Sequence, residues 1–374
     1  MKGALKGGAF CLIVAGFILL YFLFPKAAGE SVSKALILCR DVVIPSLFIF
    51  FILSRLFIES SLGRAAGRVL SPVLSPALGL SGEACAVFVL SLIAGYPAGG
   101  ITAVTLYKNG GVSKDECERL LMFSNNCGPA FLITATGASM LGSVRAGVFL
   151  YVVHIVSAAL IAAVSGRVMP MRTNVRPSLP VSKEASPFVL ISDAISESAL
   201  IMLNVCATIA AFAAAIGLLS ASGAISGLAA LFEGICVPAA VTEAACASLL
   251  ELTTGTSLIC ALGLCPRTAL TLVSAFAGFG GFCVHMQLLP HIYEAGLRAG
   301  KYLLGKTVHG ALSAAIAYTL AGRFFESAPA FAAEGGGYAP DTALCKADAP
   351  LFFISLGLMV LSLILFWRAD KKSD

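Results

Sequence analysis

Two long apolar stretches of the chain are interrupted midway by clusters that break helices, Gly95-Tyr96-Pro97-Ala98-Gly99-Gly100 and Ser124-Asn125-Asn126-Cys127-Gly128-Pro129. A break exposed to hydrocarbon leaves backbone N–H and C=O groups without partners. Such breaks persist at membrane depth only where neighbouring protein or a water-filled cavity satisfies them. The second half of the chain repeats the arrangement with Thr253-Thr254-Gly255-Thr256 and Gly278-Phe279-Gly280-Gly281. These interruptions predict an all-α polytopic membrane protein with a polar site at its centre.

The composition agrees. Of 374 residues, 58% are hydrophobic and 12% charged, and the mean hydropathy is +0.93, more apolar than a soluble domain of this length can hide. The first partner is therefore the lipid bilayer. The net charge of +5 arises from Lys and Arg in short loops, a pattern that sets membrane orientation. With no basic, aromatic-interleaved patch, nucleic acid is not an expected partner. Most of the 12 cysteines, including Cys11, Cys85, Cys127, Cys206, Cys246 and Cys283, lie in apolar stretches without a CxxC pair or a Cys/His cluster. They read as packing residues, and neither a metal nor a cofactor is expected. No GxSxG, HExxH or Walker loop occurs, so the expectation is a non-enzyme.

Apolar segments fall at about 9–24, 36–58, 69–82, 84–106, 120–141, 146–168, 190–219, 225–241, 243–263, 267–290, 305–322 and 350–367. This gives about 10–12 transmembrane or re-entrant helices. The weakest, 69–82 with Pro72 and Pro76 and 225–241 with Glu233 and Pro238, suit re-entrant or interfacial helices. The run from Ala9 to Phe24 after Lys2 and Lys6 reads as an uncleaved first span. Counting every segment as one crossing puts most basic residues on one side, among them Arg55, Lys108, Arg119, Arg167, Arg298, Lys301, Lys306 and Lys371. Both termini are then cytoplasmic.

The expected organisation is a first helix and loop (1–35), a first repeat (36–168), a Pro- and Ser-rich cytoplasmic linker (169–189), a second repeat (190–322), an external acidic loop (323–349) and a last helix with a basic tail (350–374). Glu83 and Gly95 recur as Glu243 and Gly255, each 160 positions on, and Gly128 and Pro129 align with Gly280 and Gly281, each 152 positions on. With an odd number of segments, the two halves enter the membrane from opposite sides. That inverted repeat is the architecture in which carriers place a site at the repeat interface.

Ionisable residues inside apolar runs are functional candidates because their burial is costly. Glu251 reads as a coupling residue for a proton or cation, about one turn ahead of the break at Thr253, Thr254, Gly255 and Thr256, with a structural ion pair as the alternative. Glu243, a second coupling candidate, and its counterpart Glu83 suit helix N-termini. The first break offers Gly95, Tyr96, Pro97 and Gly99 as substrate-binding positions, and Tyr96 is either a gate or an interfacial anchor. The second offers Ser124, Asn125, Asn126, Gly128 and Pro129, where side-chain amides and freed N–H groups face an anion or hold the break together. Gly280, Gly281, His285 and Gln287 complete the set; on a continuous helix only one of the last two faces a common site. His154 reads as a hydrogen-bonding partner of a neighbouring helix, and Arg40 with Asp41 as a surface ion pair.

The phrases Val43-Ile44-Pro45-Ser46-Leu47-Phe48, Gly95-Tyr96-Pro97-Ala98-Gly99, Ser113-Lys114-Asp115-Glu116-Cys117-Glu118-Arg119-Leu120-Leu121 and Ser124-Asn125-Asn126-Cys127-Gly128-Pro129, with His285-Met286-Gln287 after the Gly-rich break, together resemble the YlbJ-type sporulation integral membrane proteins. These form part of the wider group with the nucleoside-recognition, or gate, domain. The resemblance implies a transporter of a small organic anion, plausibly dipicolinate, in the outer forespore membrane of an endospore-forming bacterium. A nucleoside permease and a non-transporting sporulation scaffold that works through its linker and outer loop are the alternatives. A basic residue often follows the Gly-Tyr-Pro-x-Gly-x cluster in that family, whereas Ile101 stands there in this chain. The helix N-termini and Arg40 are left as the candidates for holding a dianion. The sequence does not specify an oligomeric state.

Overall fold

The computed structural model describes residues 2–59, 61–169, 186–234 and 237–325, with the single residue 357. Among the described residues all regular structure is helical. The linker, the outer acidic loop and the 350–367 segment lie almost wholly outside them.

The chain begins with α1 (Lys2–Leu23) and α2 (Pro25–Leu38). α2 runs through one π-helical turn, Cys39–Val43, into α3 (Ile44–Glu59). Pro25 occupies the first turn of α2, where its missing N–H costs nothing. Residues 25–56 then form one apolar rod of 32 residues, about 48 Å at 1.5 Å per residue, longer than the hydrocarbon core of a bilayer. α4 (Ser61–Leu78) is amphipathic and carries Pro72 and Pro76. Its last stretch, Pro72–Leu78, meets α5 (Gly82–Ala94) at a bend of 95°. Next come α6 (Ala98–Lys108), α7 (Lys114–Ser124), a π-helical segment (Ala130–Met140) and α8 (Val144–Val168).

The second half repeats that order. α9 (Pro187–Ala221) is again a long apolar rod, α10 (Ala224–Glu233) a short helix, and α11 (Ala239–Leu250) with α12 (Leu252–Ala261) a broken pair. α13 (Pro266–Phe279) and α14 (Gly281–Glu294) form a second broken pair, and α15 (Ala299–Phe325) ends the series as α8 ends the first. The rods at 25–56, 144–168, 188–221 and 266–294 are each long and apolar enough to cross a bilayer. α10, α11 and α12 are too short to span alone. The protein is an all-α polytopic membrane protein.

The core is built on α13, in which every residue from Thr268 to Phe279 is buried. α15 packs along it and also touches α7 and α8. Close approach is a matter of missing side chains. A Cβ on Gly305 would lie 2.4 Å from Met122 Cα, and one on Gly278 would lie 2.8 Å from Gly310 Cα, so α15 meets α7 and α13 nearly backbone to backbone.

Two residues counted as loop charges prove to be interior. Lys306 is 0% exposed and Arg119 is 1% exposed. The charge count fails because α15 begins at Ala299, which places Lys306 two turns into a helix rather than ahead of one. Arg119 is likewise central to α7, and its guanidinium donates to Leu78 O at 3.0 Å and to Gly79 O, the carbonyls that end α4.

Gly305→Val is expected to lower the stability of the detergent-solubilised protein by about 1 to 3 kcal/mol through overpacking. Gly29→Ala, with open space around its Cβ, should change it little; thermal unfolding of the two variants gives the comparison.

Candidate functional site

Each broken pair leaves a point where backbone groups lack helical partners, and the sequence at each point explains the break. α5 ends at Gly95, whose φ of +77° only glycine adopts without strain. Pro97 then stands at the N-cap of α6 without offering a side-chain cap. After α7, Asn125 is extended and Pro129 starts the π-helical segment. Between α11 and α12, Glu251 is extended, with φ of −141° and ψ of 117°. Between α13 and α14 the chain turns through Gly280 at φ +99°.

All four breaks meet. A Cβ on Gly128 would lie 3.0 Å from Gly95 Cα, one on Gly280 would lie 3.4 Å from the Tyr96 ring, and one on Gly281 would lie 3.0 Å from Ser248 O, beside the third break. Three of them line a partly open cavity of about 70 Å³, which α14 reaches just beyond the fourth. Gly95, Tyr96 and Gly128 line it from the first half, and Glu251, Thr253 and Gln287 from the second, while α3 and α9 close it with apolar residues such as Phe50 and Val205.

Glu251 is the break rather than a residue one turn ahead of it. Its Oε1 accepts from Thr253 N at 2.8 Å and its Oε2 from Thr254 N at 2.5 Å, so the carboxylate caps α12 and faces its positive end. Thr253, Thr254, Gly255 and Thr256 accordingly form the first turn of α12, and Gly255 presses on the Ser248 backbone. Among the described residues no basic side chain pairs with Glu251, and backbone N–H groups hold it instead. Glu243 is the fifth residue of α11, is exposed, and lies away from the cavity; it neither caps that helix nor joins the site. Glu83 does occupy the first turn of α5, after the Ser81 N-cap.

The remaining candidates stand behind the cavity wall. Ser124, Asn125 and Asn126 are each 0% exposed. Asn126 Nδ2 donates to Phe123 O at 2.7 Å and to Ser91 Oγ at 3.0 Å, which clamps the end of α7 to α5. Asn125 Nδ2 donates to the Tyr302 hydroxyl at 3.1 Å. Gly99 packs against Ser124 O. α14 runs unbroken through His285 and Gln287, so only Gln287 reaches the cavity, whereas His285 Nδ1 lies 2.8 Å from the Tyr302 hydroxyl. His154 Nε2 accepts from Cys127 N at 3.0 Å and so satisfies a donor freed by the second break. Arg40 is exposed and paired with Asp41 at 2.6 Å, outside the site.

The residue missed by sequence reasoning is Lys306. Its Nζ donates to Tyr96 Oη at 2.6 Å and to Asn125 O at 2.9 Å, and lies 3.5 Å from His309 Nδ1. Tyr96 Oη in turn donates to Ala277 O at 2.8 Å, so the side chain is no interfacial anchor. His309 Nε2 donates to His154 O at 3.1 Å. A signal was present: Tyr302, Lys306 and His309 are spaced four and then three apart, one polar stripe on a helix.

Glu251→Ala should expose the first N–H groups of α12 and cost about 1 kcal/mol of stability. Glu251→Gln, which keeps one acceptor oxygen, should cost less, and thermal unfolding in detergent ranks the two.

No solved structure matches the chain. The sporulation integral membrane protein YlbJ of Bacillus subtilis (strain 168) is 24% identical over 329 residues, covering 81% of this chain and 81% of that protein. Residues 42–168, from the π-helical turn before α3 to the end of α8, match the Gate family, described as nucleoside recognition. The resemblance read from the sequence phrases is therefore borne out: the chain carries a Gate-family segment in its first half and is similar over most of its length to a YlbJ-type sporulation integral membrane protein.

Proposed function

We propose that the chain is a sporulation-associated carrier of a small organic anion, working by alternating access, with dipicolinate moved across the outer forespore membrane as its specific task. The observation that carries this reading is the meeting of four helix breaks, two from each half, beside one partly open cavity. Unpaired backbone at that depth is tolerated where it serves a site. The repeated element order supports two halves of opposite membrane orientation, with both termini cytoplasmic. The name of the Bacillus subtilis relative supports the link to sporulation.

The cavity is small. An apolar cavity of about 150 Å³ holds a benzene, so at about 70 Å³ this conformation is closed to an aromatic dicarboxylate. Loading requires the walls formed by α3 and α9 to part from the breaks. Glu251 lines the cavity, and an ionised carboxylate there repels an anionic substrate. It therefore acts as the coupling residue, proton-bound or cation-bound when the substrate enters. Nothing in this reading requires catalysis or a cofactor.

In reconstituted vesicles, wild-type protein is expected to carry dipicolinate, and Glu251→Gln to insert and fold normally but to lose more than nine-tenths of the flux, about the tenfold that 1.4 kcal/mol represents. Wild-type flux in that variant would remove Glu251 from the mechanism. The description of the Gate family as nucleoside recognition favours one other reading, a nucleoside as substrate. Unlabelled nucleosides added to the same uptake assay should leave dipicolinate flux unchanged, and competition at comparable concentration would exchange the two readings.

A further inference from the structure

Lys306 brings an ammonium into the protein interior, where its three hydrogens meet three acceptors: Tyr96 Oη, Asn125 O and His309 Nδ1. All three neighbours are neutral, so the protonated form of this side chain has hydrogen bonds but no counter-charge. The other polar groups arriving from the surrounding helices are also uncharged in their hydrogen-bonded roles. His154 of α8 accepts from Cys127 N, and His285 of α14 meets the Tyr302 hydroxyl of α15. Among the described residues no carboxylate lies within 4 Å of the ammonium. Glu251, which also lines the cavity, has both oxygens engaged by Thr253 N and Thr254 N. Burying a cation without a counter-charge is costly, and an anion that arrives from outside can supply the missing charge.

Tyr96 connects this charge to the cavity. Its residue forms part of the lining, its ring centroid is 4.8 Å from the ammonium, and its hydroxyl accepts from Lys306 while donating to Ala277 O. An oxygen that accepts from an ammonium becomes a stronger donor through its own hydrogen. We propose that Tyr96 and Lys306 together form a carboxylate-recognising subsite of the cavity. On entry the ligand's carboxylate replaces Ala277 O as acceptor of the Tyr96 hydroxyl hydrogen, and Lys306, one bond behind, supplies the compensating charge. Tyr96 touches the ligand, and Lys306 is the positioning and polarising residue. The inference rests on the carrier reading for the use of the cavity and for the carboxylate ligand, and goes beyond it in naming the residues that recognise the carboxylate.

The test uses the full chain purified in detergent, with pyridine-2,6-dicarboxylate, benzoate and the uncharged pyridine-2,6-dicarboxamide as probes. Melting temperature followed against probe concentration gives an apparent Kd for each. Wild-type protein is expected to be stabilised by the two carboxylates and not by the diamide. Lys306→Met should weaken carboxylate binding at least tenfold and abolish the preference for charged over uncharged probe. Tyr96→Phe, which keeps the ring in place and removes only the hydroxyl, should do the same; if Lys306→Met fails to fold, this variant decides. Undiminished carboxylate binding in Tyr96→Phe, equal stabilisation of wild-type protein by the diamide, or no response of wild-type protein to any carboxylate would each overturn the proposal. Vesicle flux is a separate readout: Lys306-dependent binding without flux refutes the carrier reading and leaves the subsite standing, whereas flux indifferent to both substitutions does the reverse.

Discussion

Hydrocarbon offers no hydrogen bonds, and the rest of this structure follows from that. A chain that interrupts four helices inside an apolar body must bring the freed backbone groups to partners, and here the partners come from the other interruptions and the helices beside them. Cys127 N finds His154, Asn125 O finds Lys306, and the first N–H groups of α12 find Glu251. Once those partners are fixed, the breaks are held within contact of one another, and the cavity is the space they leave. The pocket and the solution to the backbone's bonding problem are the same arrangement.

That arrangement depends on α15. It reads in the sequence as an apolar segment with Lys306 and His309 set into it, and its glycines allow it to lie against α7 and α13 at backbone distance. The close seating is what lets the Lys306 side chain reach both the first and the second break. A bulkier surface on α15 would keep the ammonium away from Tyr96. Packing by the smallest residue thus sets the electrostatics at the centre of the molecule.

The fold was legible in the sequence where the signal was local. Gly95 and Gly280 take φ above zero where helices end, and Pro97 and Pro129 stand at helix starts where a missing N–H costs nothing, and the structure breaks at those places. Residue roles were harder to read. Thr253 to Thr256 looked like a break because of their composition, but the extended residue is Glu251, whose cap lets the threonines start a helix. Glu243 copied Glu83 in sequence and not in place. Lys306 and Arg119 were assigned to loops because a positional charge count assumes that every cation escapes to water. That assumption fails when a helix begins a few residues early and turns its polar stripe inward, a long-range packing outcome that no window of sequence records.

The hydrogen bonds around Tyr96 also join the two halves. Tyr96 is tied to Ala277, Asn125 to Tyr302 and Lys306, and His154 to His309, while at one end Glu118 holds Arg298 N and Lys301. Parting the halves as two blocks would sever all of these ties together. The paired rods α3 and α9 stand outside them and are latched to each other by Arg55 and Glu197 at 2.8 Å. A sliding of that pair over the centre would uncover the cavity's apolar wall while leaving the ties named above intact, so a carrier built this way could open at its outer fence without parting its core.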